Sequence, residues 1–185
     1  MKEDVYQLLE KKAENIQPGA EGLLVLDHWQ GNRTPYIDPN SRGVILGLSL
    51  AHTAHHVFRA ILEGVAYGTA LNIKKLREDL EIKAIHASGG ATKSKLWMQI
   101  HADVANLPIY VPKNPEASLV GSAIAAAVAS GFYSNLREAS NAMVHILDKI
   151  EPNPENHSLY QSYLEKYIEL YWKLRDLVYE LGQKE

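Results

Sequence analysis

Apolar residues follow two rhythms along this chain, and each change of rhythm marks a new element. Asp4 to Ala13 reads as a short helix that stops before Pro18-Gly19, and Gly22 to Leu26 as a short buried strand. Turn-forming polar residues take over from His28 to Ser41. There, Gly31-Asn32-Arg33-Thr34-Pro35 and Asp38-Pro39-Asn40 predict a structured loop. Gly43 to Leu50 is a second strand. From Thr53 to about Leu80 the spacing predicts a long helix, because Val57, Ile61 and Val65 recur every four residues with Phe58 and Leu62 beside them.

The pattern then alternates. Lys83 to Ala87 reads as a strand, Ser88-Gly89-Gly90 as a turn, and Lys93 to Ala105 as a helix. Ile109 to Val111 is a short strand between prolines, and Glu116 to Ser130 an alanine-rich helix closed by Gly131. Leu136 to Met143 is helical, and Ile146 to Ile150 a last strand. A long amphipathic helix from about Glu155 to Leu181 carries a stripe containing Tyr160, Tyr163, Tyr167 and Tyr171. Strands alternating with helices predict an α/β layer fold.

Composition narrows the function classes. The 185 residues suit one domain, or one large piece of a longer protein, and 46% hydrophobic content is enough for a packed core. Nineteen Lys+Arg against 22 Asp+Glu leave a net charge of -3, which argues against a dedicated nucleic-acid binder. With no cysteine there is no disulfide, thiolate metal site or cysteine nucleophile. No apolar run is long enough to span a bilayer, and the charged first residues lack a signal core, so a cytoplasmic protein is expected.

Chemistry concentrates at strand–Ser88-Gly89-Gly90–helix. Glycines let a backbone approach a ligand closely, and the first amides of a following helix favour an anion. Lys93, Lys95 and the Ser94 hydroxyl add to a plausible phosphate contact. A glycine pair is equally the ordinary way to leave a strand for a helix, and this is neither a P-loop nor a G-x-G-x-x-G turn. His52, His55 and His56 share a helical face but have no carboxylate near in sequence, so they read as neutral histidines rather than a metal site. Arg59 and Glu63 stand four apart and read as a helix ion pair. Asp103 beside Gln99 fits either a solvated face or a buried hydrogen-bonding group. The tyrosine stripe reads as core and interface, because its spacing is helical.

Four ordered segments resemble the FGGY family of carbohydrate kinases. The first runs from Gly31 through Thr34-Pro35-Tyr36 and Asp38-Pro39 to Arg42-Gly43. The second, Gly43 to Leu48 followed by His56 to Gly64, resembles the family's C-terminal signature. The third comprises Gly89-Gly90, Ser94, Trp97, Gln99 and Ala102-Asp103; the fourth comprises Glu116, Leu119 and Gly121-Ser122-Ala123. The likeness runs from about Gly22 to the end of the chain. It implies an incomplete actin-like (ribonuclease H-like) ATPase domain, with a central mixed sheet flanked by helices and a long C-terminal helix. Residues 1–21 would be its N-terminal helix and linker, and 22–185 the nucleotide-side C-terminal domain.

The resemblance further implies an ATP-dependent kinase, with Mg2+, that moves the γ-phosphate to a sugar hydroxyl. Gly89 and Gly90 would lie near the phosphates, Ser94 would contact the nucleotide, and Glu116 with its helix would help form the adenosine side. The Arg59–Glu63 pair and Asp103 look like framework positions. No catalytic base and no metal ligand is assigned here. Family members carry the base and sugar pocket in an N-terminal domain, so the chain is expected to be roughly the last two-fifths of a kinase, inactive alone and homo-oligomeric through uncovered surface. The Asp27 to Pro35 segment is more similar to ribulose-kinase-like members, which favours a pentulose such as ribulose. The competing reading is a non-catalytic nucleotide-binding or assembly module that keeps the kinase fold.

Overall fold

A computed structural model describes residues 5–182. The order is α1 (Val5–Ala13), β1 (Leu24–Leu26), β2 (Val44–Leu46), α2 (Ala54–Leu76), β3 (Ile85–His86), α3 (Lys95–Ala105), β4 (Ile109–Pro112), α4 (Ala117–Ala129), α5 (Leu136–Met143), β5 (Ile146–Ile150) and α6 (Pro154–Gly182). Asp4, included in the predicted first helix, lies outside the described residues. The alternating pattern is thus reproduced, with β1 to β3 shorter than expected, β4 one residue longer and β5 on its expected bounds. Gly43 to Leu50 yields only the three residues of β2, because Gly47 turns the chain at φ 94° close against the Gly22 carbonyl.

The strands form two sheets. β1 and β2 are an antiparallel ribbon in the register Leu24 with Leu46 and Leu26 with Val44. The mixed sheet has the order β3-β4-β5, with β3 parallel and β5 antiparallel to β4. Alternation decides its faces. Ile85, Ile109, Val111 and Ile150 turn towards Met98 and Ala102 of α3. On the other face His86 stacks on Tyr110 with ring centroids 5.2 Å apart, and the Lys149 ammonium lies 5.5 Å from the centre of the Tyr110 ring. Helix α3 joins the two cores, since Ile100 and Val104 belong to the larger cluster built by β1, α2 and α6, and Trp97 borders both.

Helix α6 fastens the molecule through phenols. Tyr160, Tyr167 and Tyr171 are buried, and each hydroxyl donates to a carboxylate on another segment: Glu63 at 2.9 Å, Asp27 at 2.6 Å and Asp38 at 2.9 Å. Tyr179 adds a second bond to Asp38, at 2.6 Å. Tyr160, Tyr167 and Tyr171 of the stripe are therefore core, while Tyr163 is partly buried and Leu177 and Leu181 are exposed. The Arg59–Glu63 pair is more than a surface ion pair: the guanidinium donates to Glu63 at 2.8 Å, to the Ala13 carbonyl and to the Tyr160 hydroxyl, all buried. Asp103 is the buried alternative. Its carboxylate accepts from Gln99, from the Asn153 amide and from Asn156, and so pins the start of α6. His56 is consumed by a cap, its ring nitrogen accepting from the Thr53 amide at 3.1 Å.

Candidate nucleotide site

The site is built where β3 and β4 end. Parallel strands delivered by a helical crossover leave their carboxyl ends open, which is where ligands settle in α/β sheets. Behind β3 come Ala87, Ser88 and the glycine pair; behind β4 come Lys113, Asn114 and Pro115, leading into α4. The two connections are tied together by the Gly89 amide, which donates to the Pro115 carbonyl at 2.9 Å. A cavity of about 530 Å³ opens beside them. Ser88 and Pro115 lie on one side, Val120, Gly121 and Ile124 of α4 on another, and the α5–β5 turn at Met143 to His145 closes it. That volume falls within the usual range for small-molecule sites.

The glycines there differ in their reasons. Gly89 has φ 80° and ψ -167°, a region that essentially only glycine occupies, so the backbone itself demands it. Gly90 and Gly121 carry no positive φ, and a Cβ built on either meets no described atom within 4 Å. Inside α4 a glycine costs about 0.5–1 kcal/mol relative to alanine. Neither turn geometry nor packing among the described residues explains Gly90 or Gly121.

The predicted residues are not all brought to one place. Gly89 is joined to the Pro115–Glu116 corner, and Glu116 stands exposed at the N-cap position of α4 without capping it. Gly90 and Ser94 face a second groove, of about 550 Å³, between the turn, α1 and α2. Ser94 is the N-cap of α3: its hydroxyl accepts from the Trp97 amide at 3.0 Å and donates to Glu10 at 2.7 Å. Ser88, read in the sequence as part of the glycine turn, lines the cavity. Met143 and His145 line it too but escaped the sequence reading, because the α5–β5 turn is brought in only by the sheet.

Among the described residues no three His, Asp or Glu side chains converge on a point where they could hold a metal ion. No described helix is long and apolar enough to cross a membrane.

The fold is that of an α/β domain of the actin-like ATPase class. The chain matches the FGGY family of carbohydrate kinases, C-terminal domain, over residues 2–130, a span that takes in α1 and ends just after α4. It is similar to the ribulokinase of Bacillus licheniformis, 41% identical over 174 residues that make up 90% of this chain and 32% of that protein. The xylulose kinase of Staphylococcus epidermidis is 35% identical over 170 residues, 91% of this chain and 34% of its own length. Among solved structures, a ligand-bound xylulose kinase from Lactobacillus acidophilus superposes with a TM-score of 0.83 at 27% identity, covering 91% of this chain and 34% of the other. The xylulose kinase of Rhodospirillum rubrum gives 0.82 at 32% identity, covering 94% and 35%. This chain belongs to the FGGY family of carbohydrate kinases, as a C-terminal domain of the ribulokinase and xylulokinase type. It spans about a third of the length of these relatives, less than the two-fifths expected.

Proposed function

We propose that the chain supplies the nucleotide side of the cleft in an ATP-dependent carbohydrate kinase of the cytoplasm, with a pentulose such as ribulose as acceptor. The observation that carries the reading is the pair Gly90 and Gly121, one in the turn after β3 and one in the helix after β4, which have no positive φ and whose added Cβ would meet no described atom within 4 Å. Adenosine would occupy the apolar cavity against Gly121 and Ile124, and the phosphates would pass over Gly89–Gly90. Glu116, exposed at the head of α4, would border the adenosine side. Magnesium, when bound, neutralises phosphate charge during transfer. Among the described residues no ligand set for it is assigned. The pentulose assignment rests on relatives named ribulokinase and xylulose kinase, together with the Asp27 to Pro35 segment.

Phosphoryl transfer needs a positioned hydroxyl, a base and clamped phosphates, and this chain is assigned only part of the last. Isothermal titration with ADP should therefore give weak binding. Gly90→Val should abolish it while the circular dichroism spectrum stays unchanged, because the new side chain projects into open space. A coupled ADP-release assay over pentuloses, hexuloses and glycerol should show no sugar-dependent turnover by the chain alone. Equal affinity in the variant would overturn the site, and turnover that tracks the sugar would place a base within this chain.

A further inference from the structure

We infer that Glu10, on α1, is a positioning residue for the Gly89–Ser94 turn. It fixes both the start of α3 and the direction of the Ser94 proton. The geometry stands independently of the nucleotide reading, and the consequence for binding rests on that reading.

The first amides of α3 have no partners within the helix and need acceptors. Ser94 takes the Trp97 amide. Glu10 Oε1 takes the Leu96 amide at 3.2 Å and also accepts the Ser94 hydroxyl proton at 2.7 Å. A carboxylate that arrives from 84 positions away in the sequence thus fills the place where the helix dipole favours an anion. The far end of α1 is held as well, since Arg59 donates to the Ala13 carbonyl at 3.1 Å. Glu10 is therefore presented by an anchored helix.

This has a chemical consequence for Ser94. A hydroxyl offers one proton and two lone pairs. Glu10 holds the proton and the Trp97 amide uses one lone pair, so Ser94 can only accept. Phosphate oxygens, which are themselves acceptors, find no donor there, whereas a ribose hydroxyl or a base amine would find an acceptor. With the α3 terminus already occupied by a carboxylate, the phosphates are directed to the Gly89–Gly90 side of the turn.

The test uses the whole 185-residue chain with Glu10→Ala and Glu10→Gln, read by amide hydrogen exchange over residues 92–97 and by ADP titration. A hydrogen bond to a charged group is worth about 1.5–3 kcal/mol, so Glu10→Ala should speed exchange at Leu96 and Trp97 by about tenfold or more and weaken ADP binding by about fivefold. Glu10→Gln keeps an acceptor and should restore most of both. Unchanged exchange in Glu10→Ala overturns the inference whether or not ADP binds. Faster exchange with unaltered affinity overturns it too, reducing Glu10 to a plain helix cap. Tighter ADP binding would make Glu10 a competitor for the phosphate, again against the inference. If the wild-type chain releases no heat with ADP, the nucleotide reading fails, and the exchange data still decide whether Glu10 holds the turn.

Discussion

His101 lies on α3 with its ring 5.7 Å from that of Trp97, and burial lowers its pKa to about 4. In the unfolded chain the same ring titrates near 6.5. As pH falls from about 6.5 towards 4, the unfolded state takes up a proton that the folded state refuses, so stability falls with pH across that window. The full effect is on the order of 3 kcal/mol. His28 acts in the same direction, because burial outweighs the attraction of Asp27 and Asp38 and lowers its pKa. Calorimetric melting between pH 7 and 4.5 should show a steep loss in the wild type and a shallower one in His101→Gln. Parallel curves would mean that the ring is protonated without cost. Asp38 works in a lower range. Burial disfavours its charge, but the Tyr179 and Tyr171 hydroxyls and the amides of Asn40 and Ser41 more than compensate, so its carboxyl sits below its usual value. Its contribution is present above the ordinary carboxylate range and is lost as pH falls through the lowered value.

At the scale of elements, α4 poses a conflict between stability and binding. Gly121 weakens the helix, yet borders the cavity proposed for adenosine. Gly121→Ala should raise the melting temperature by about 2–4 °C, the shift expected for about 1 kcal/mol in a chain of this size, while weakening ADP binding. A higher melting point with unchanged affinity would mean that the ligand does not approach this turn of α4. How legible such elements were depends on how local their causes are. The tyrosine stripe of α6 and the exact bounds of α5 and β5 follow from periodicity and caps, which a sequence displays directly. The short span of β2 depends on Gly47 meeting the Gly22 carbonyl, a contact between separate segments. Ser94 was legible as a polar group after a glycine turn. Its partner Glu10 was not, because nothing in the neighbourhood of either residue announces the other.

The whole molecule exposes more apolar surface than a closed domain needs. Ile45, Leu46, Leu48 and Leu50 are exposed along and beyond β2, and α4 buries only Ile124 although its residues are nearly all apolar. A helix that is apolar all round is normally covered, and large bare patches seek partners. The purified chain should therefore run as a dimer or higher oligomer in light scattering coupled to size exclusion at low micromolar concentration. A constant mass of 20.7 kDa across a dilution series would show that these faces tolerate water.

The phenol–carboxylate ties of α6 bear on how the protein is made. Glu63, Asp27 and Asp38 meet their tyrosines across sequence separations of 97, 140 and 133 residues, and the helix that brings those tyrosines follows every other described element. While the ribosome is still delivering α6, the three carboxylates remain hydrated and the face formed by β1, α2 and α3 stays open. Contacts of such range are slow to form, and apolar surface left open in the meantime is prone to stick to other chains. Closure of this core is thus deferred until α6 has been delivered, and a nascent chain stalled before Tyr160 would offer chaperones an almost complete but uncloseable core.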